Sequence, residues 1–217
     1  MGQKANPIVL RLGITRDYDS AWFADKNYSV LLMEDMKIRK FLEERLKKAG
    51  ISKIKIRRKS DIVDADVYTA RPGLIIGKEG AEIAKLQAES NKIIGKTLRI
   101  NVIEEKNIER NAQLVANAVA AQLEKRMSFR RVIKLNVQKM MRAGAKGAYV
   151  RCAGRLGGTE IARSESYREG KIPRSTFRAD IDYAFAIAST THGVIGVTVM
   201  VYTGDVVKPK KEEVVTV

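Results

Sequence analysis

Apolar residues recur along this chain first with a helical and then with a strand period. Tyr28, Leu31, Leu32, Asp35, Ile38, Phe41, Leu42 and Leu46 step by three and four, which predicts a one-faced helix that stops at Gly50. Ile54 and Ile56 then alternate with Lys53, Lys55 and Arg57, a strand with one buried and one basic face. A second strand is expected from Ile62 to Ala70. Pro72 and a short apolar run lead into Gly77-Lys78-Glu79-Gly80. Ile83, Leu86 and Gln87 then share one side of a helix ending before Gly95. Leu98, Ile100 and Val102 make a third strand from Thr97 to Glu104. Downstream, Asn107 is placed to cap a helix carrying Val115, Ala118, Val119 and Leu123. Ser128 is placed to cap another, carrying Phe129, Val132, Ile133, Val137, Met140 and Met141, with Gly144 as its stop. Four strand-like stretches follow, at about 147–154, 163–171, 179–188 and 194–203. In the third, Ile181, Tyr183, Phe185 and Ile187 alternate with small or acidic residues, and His192-Gly193 marks a hairpin turn.

The order helix-strand-strand-short helix-loop-helix-strand is that of a bacterial-type (type II) KH module. In such a module a Gly-x-x-Gly loop meets a sugar-phosphate chain. Glycine lets backbone approach closely, and the N–H groups opening the next helix favour an anion. The tetrapeptide occurs four times here, at Gly77–Gly80, Gly144–Gly147, Gly154–Gly157 and Gly193–Gly196. Only the first lies between an apolar lead-in and a helix, so Gly77, Lys78 and Gly80 are the candidate RNA contacts. A nucleotide P-loop is a poor fit. Three residues separate Gly73 from Gly77, and Glu79 stands where a magnesium-binding hydroxyl is required.

The fold class is therefore α+β. An N-terminal arm is expected over 1–20, a type II KH domain with a three-stranded sheet over 21–105, and a second α+β domain over 106–204. The second domain places two helices on a four-stranded sheet, and 205–217 reads as a disordered tail. Trp22, Phe23 and Tyr28 read as an aromatic lid on the first helix.

Charge adds the partner. The formal net charge is +16, the footprint of a protein for a polyanion. From Lys106 to Arg178 there are 17 Lys and Arg against 5 Asp and Glu, so most of the excess lies in the second domain. Lys125, Arg126, Arg130, Arg131 and Lys134 crowd the turn between the two helices. Like charges at i,i+4 and cations near a helix start both disfavour the free fold, which points to a bound polyanion. A second cluster, Arg151, Arg155, Arg163, Arg168, Lys171, Arg174 and Arg178, favours Arg over Lys, as suits structured RNA.

Other chemistry is poorly supported. Asp180 with Asp182, and Asp64 with Asp66, could hold a divalent ion, but structural ion pairs fit this Arg-rich chain better. No nucleophile–base pair or metal signature points to an enzyme, and neither cofactor nor metal is expected. The single cysteine, Cys152, reads as a buried strand residue in a reducing cytoplasm. No apolar run reaches a bilayer-spanning ~20 residues, and no signal peptide is expected at the start.

Several motifs together resemble one family. These are Gly2-Gln-Lys-Ala-Asn-Pro7, Ala70-Arg-Pro-Gly-Leu-Ile-Ile-Gly-Lys-Glu-Gly80, Gly144-Ala-Lys-Gly147, Gly154-Arg-Leu-Gly-Gly158, Glu160-Ile-Ala-Arg163, Tyr167-Arg-Glu-Gly170, Arg178-Ala-Asp-Ile-Asp-Tyr183 and Gly193-Val-Ile-Gly-Val197. They resemble the bacterial ribosomal protein S-three family of the small subunit, over essentially residues 1–204. The resemblance implies a non-enzymatic component of the small-subunit head, in the cytoplasm. Its implied partners are small-subunit rRNA, mRNA and neighbouring ribosomal proteins, with no membrane and no homo-oligomer. It also implies a position where mRNA enters the ribosome, with Arg130, Arg131 and Lys134 assisting its unwinding. Gln3, Lys4 and Asn6 of the arm, with Arg155, Arg163, Arg168, Arg174 and Arg178, are the further RNA candidates. A free KH-type regulator is the alternative, and a nuclease using Asp180 and Asp182 ranks third.

Overall fold

The computed structural model describes residues 5–59, 62–77, 80–94 and 96–206. Two α+β units follow one another. The first contains α1 (Tyr28–Arg45), β2 (Ile51–Lys59), β3 (Ile62–Thr69), α2 (Pro72–Ile76), α3 (Ala81–Ile94) and β4 (Thr97–Glu104). β2 and β3 pair antiparallel, and β4 joins β3 in parallel. Parallel pairing demands a crossover, and α2, the glycine loop and α3 supply it. The element order matches the KH expectation. A two-residue strand from the arm, β1 (Ser20–Ala21), adds a fourth strand parallel to β2. The expected alternation holds, with Ile54 and Ile56 buried against Ile38, Leu42, Val63, Val67, Leu86 and Ile100.

The second unit is α4 (Ala112–Glu124), α5 (Phe129–Arg142), β5 (Gly147–Gly154), β6 (Arg163–Gly170), β7 (Ala179–Thr190) and β8 (Gly193–Asp205). The sheet order is β6-β5-β8-β7, antiparallel throughout. Val119, Leu123, Val132, Val137 and Met140 of the helices pack on Val150, Cys152, Val197 and Val199. The Cys152 thiol is buried, and burial pushes its pKa up to about 12.

Two local expectations are corrected. Asn107 opens a single 3-10 turn and makes no capping bond. The α4 cap is Asn111, whose Oδ1 accepts from the Gln113 and Leu114 N–H groups at 3.1 and 3.2 Å. Asp182 Oδ2 takes the Ala112 N–H at 2.8 Å, so the helix start is fixed from β7. Ser128 stands at the N-cap of α5 but makes no side-chain cap bond. In β7 the small residues Ala184, Ala186 and Ala188 face the helices, while Phe185 and Ile187 are exposed. Ala112, Ala116 and Ala120 line the buried side of α4, so small meets small and helix and strand approach closely.

The arm is docked, not frayed, from Ala5 to Ala21. Asp19 O accepts the Ile56 N–H at 2.8 Å on the first unit. Arg39 of α1 donates to Asp19 O and Ser20 Oγ. On the second unit, Arg16 pairs with Asp180 at 3.4 Å and Asp182 at 3.0 Å. Trp22 donates to Asp35 at 2.8 Å and lies 5.3 Å from the Tyr28 ring, as a lid should. Phe23 is 92% exposed and takes no part in it. The expected tail falls almost wholly on 207–217, outside the described residues, and β8 itself runs to Asp205.

Candidate nucleic-acid interface

The exposed face of α5 carries the densest charge. Its apolar side is spent on Val132, Ile133, Val137 and Met140, and a 3.6-residue period turns Arg130, Arg131, Lys134, Lys139 and Arg142 outward. Arg130 is the partly committed member. It faces Glu165 of β6 at 3.4 Å and lies 5.7 Å from the Phe129 ring centroid. Arg163 approaches the same ring at 5.9 Å, so α5 and β6 meet in an Arg-Phe-Arg stack. Among the described residues, neither Arg131 nor Lys134 has an ion-pair partner, and both are exposed. Their charge is open to phosphate.

The second arginine cluster is not one patch. Along β6, Arg163 stands opposite Gly154 and Arg168 opposite Tyr149. Residues five apart on a strand point to opposite faces. Arg163 therefore lies on the helix side and Arg168 on the open side of the sheet. On that open side, Arg174 sits 5.2 Å from the Tyr149 ring centroid. Because β6 is an edge strand, the basic surface wraps around the edge from one face to the other. Arg178 is tied to Asp205 at 3.1 Å. Arg155 donates to Thr159 O at 2.9 Å and His192 O at 3.1 Å, so it braces a loop as much as it offers charge.

The glycine loop lies in the other unit. Gly77 has φ +70° and Gly80 φ +81°, a region that side-chain-bearing residues rarely adopt. The two differ in packing. A Cβ on Gly77 would stand 2.6 Å from Glu82 Cγ, whereas one on Gly80 would meet only Ile83 Cγ2 at 3.9 Å. Gly77 is thus favoured by local packing as well as by any role in the loop. Glu82 also brings a carboxylate to the first turn of α3, paired with Lys85 at 3.1 Å, and weakens the pull on phosphate there. Lys78, Gln3 and Lys4 lie outside the described residues. Asn6 turns its Oδ1 onto the Ile8 N–H at 2.8 Å.

Three of the four aspartates of the acidic pairs are held in structural contacts. Arg16 and Thr203 hold Asp180, and Arg16 and the α4 N-terminus hold Asp182. Arg57 and Asn101 hold Asp66. No group of three metal-ligating side chains occurs among the described residues. Sequence reasoning missed Arg11 and Arg16 of the arm. Apart from Pro7 O, the acceptors of their guanidiniums lie more than 160 residues away, so no local period marks them.

Comparison with known proteins agrees with both units. The KH domain family model matches residues 37–111, and that described as ribosomal protein S3, C-terminal domain, matches 119–201. The small ribosomal subunit protein uS3 of Desulfitobacterium hafniense is 52% identical over 211 residues, 97% of this chain and 96% of that one. Those of Geobacter sulfurreducens and Clostridium perfringens are 51% and 53% identical, over 97% and 98% of this chain and 100% and 97% of theirs. With both halves matched in order and half of all residues identical end to end, the chain belongs to the small ribosomal subunit protein uS3 family.

Proposed function

We propose that this chain is a structural component of the small-subunit head that binds small-subunit rRNA and contacts mRNA where it enters the ribosome. There it assists the unwinding of structured messages, as a non-enzymatic protein of the cytoplasmic ribosome. The observation that carries the reading is the outer face of α5, where Arg131 and Lys134 stand exposed beside Arg130 and, among the described residues, without an ion-pair partner. Such a row holds single-stranded phosphates as they pass and does not read bases. The arginines around the β6 edge supply rRNA docking, and guanidiniums suit its fixed phosphates. Neighbouring small-subunit proteins are its further partners.

The test is translation by ribosomes carrying alanine at Arg130, Arg131 and Lys134. Incorporation into subunits should persist, and an unstructured message should translate at the normal rate. A stable downstream hairpin should slow these ribosomes selectively. An unchanged ratio of hairpin to unstructured rates would remove mRNA handling from α5.

A further inference from the structure

Arg11 is wholly buried, yet among the described residues no carboxylate bonds its guanidinium. Every acceptor around it is a backbone carbonyl. Nε donates to Ala179 O at 2.6 Å and Nη1 to Pro7 O at 2.8 Å. Nη2 reaches Thr176 O at 2.8 Å, Arg174 O at 3.1 Å and Pro173 O at 3.4 Å. Burial and the nearby Arg16 pull its pKa down, with Asp180 opposing them. An arginine nonetheless stays charged, so a full positive charge is held inside a cage of peptide oxygens.

Four of those five oxygens belong to one segment, residues 173–179. That segment joins β6 to β7 and has no regular structure until β7 begins at Ala179. Its own backbone bonds are few: Thr176 N to Pro173 O at 3.3 Å, Ala179 N to Thr176 O at 3.2 Å and Val206 N to Arg178 O at 2.8 Å. It bears two cations, Arg174 and Arg178, with Lys171 just before it, and their mutual repulsion works against a fixed shape. Turning the carbonyls inward onto Arg11 leaves the side chains outward. Arg174 lies over Tyr149, and Arg178 rests at Asp205.

We propose that Arg11 is a positioning residue for RNA binding: through its carbonyl cage it holds the basic segment 171–178 in the shape that presents Arg174 and Arg178 to RNA. The proposal rests on the reading that these two arginines contact RNA. Arg11 itself touches no nucleotide. It removes in advance the ordering cost that a loose cationic loop would meet on binding.

The experiment uses the full chain and a labelled single-stranded oligouridylate, with two readouts. The first is amide hydrogen exchange over 171–179. Arg11→Lys keeps the charge but loses the fork, so exchange there should rise at least about tenfold while β5 and β8 stay protected. The second is the salt dependence of affinity. Arg174→Ala/Arg178→Ala should shrink the slope of log K against log salt by about 1.4, two contacts at ~0.7 each, and Arg11→Lys should shrink it by up to the same amount. Adding Arg11→Lys to the double variant should change nothing further. Unchanged exchange in Arg11→Lys overturns the positioning role, as does general loss of protection across β5 and β8. Additive loss of affinity in the triple variant shows Arg11 acting elsewhere and overturns it too. If exchange rises but Arg174→Ala/Arg178→Ala leaves the slope intact, the RNA reading of the segment is what fails, and the link to binding falls with it.

Discussion

Replacing Arg130, Arg131 and Lys134 by alanine should separate binding from folding. On single-stranded RNA each phosphate neutralised contributes about −0.7 to the slope of log K against log salt, so three lost contacts should flatten it by about 2.1. Between about 50 and about 200 mM salt the native protein should then lose roughly eighteen-fold more affinity than the variant. Arg130 must leave Glu165 to reach phosphate, so Arg131→Ala/Lys134→Ala alone should account for about 1.4 of that change. Stability should hardly move. Relief of the Arg130–Lys134 repulsion returns roughly 0.2–0.5 kcal/mol, and removing cations from the helix start returns a further ~0.3–1 kcal/mol. Against this stands the exposed Arg130–Glu165 pair, 73% exposed on the arginine side and worth about 0–1 kcal/mol. The assay is anisotropy of a labelled oligouridylate across a salt series, with a urea transition on the same samples. Parallel salt lines for native and variant protein would refute the assignment. A drop of several kcal/mol in stability would refute the claim that these side chains contribute little net stability to the fold.

Three further results are expected. Gly77→Ala should lower the urea midpoint clearly more than Gly80→Ala. Both incur a positive-φ backbone cost of ~1–3 kcal/mol, but only Gly77 adds an overlap with Glu82, and equal costs would contradict that packing. Arg58→Ala should destabilise the first unit by about 3–5 kcal/mol, because Asp35, its partner, is left buried without a counter-charge and keeps only the Trp22 N–H. In the same cluster, burial alone would raise the Glu34 carboxyl, but Arg58 and Lys96 outweigh it and hold the pKa below the usual carboxylate range. A depressed carboxylate contributes stability above its unfolded pKa and loses it as pH falls through the folded value. Glu34→Gln should therefore flatten the acid limb of a stability–pH curve, and an unaltered limb would place the acid sensitivity elsewhere.

The first unit was legible because its residues obey local periods. Helix α1, the alternating β2 and the crossover through α2 and α3 all follow from spacing. The second unit's elements were legible for the same reason, but not which way β7 faces. There the alanines of α4 and β7 choose each other, and a single strand's alternation cannot say which of its faces the helices take. The basic cluster was read as one surface because it was counted along the chain. Its division was in fact available, since Arg163 and Arg168 are an odd number of residues apart on one strand. Asn107 and Asn111 offer the same capping chemistry, and Asp182, seventy residues on, decides between them by taking the Ala112 N–H. The arm was opaque for the strongest reason: Arg11 bonds to Ala179, 168 residues ahead.

That separation has a consequence for how the molecule is made. Synthesis runs from the N-terminus at about 5–20 residues per second, so Arg11 emerges roughly 8–30 s before the carbonyls that will receive it. The residues of the first unit, including the β2 edge that takes Ser20 and Ala21, are complete long before Arg11 has its distant carbonyls. Closing the arm joins almost the two ends of the described chain, and a loop that long costs only logarithmically more than a short one. A chain cut short before Pro173 carries every residue of the KH unit but, of the carbonyls that hold Arg11, only that of Pro7, and a chain that reaches Asp182 has them all. Attachment of the arm therefore marks a nearly finished polypeptide, and a loose, basic N-terminus marks one that stopped early.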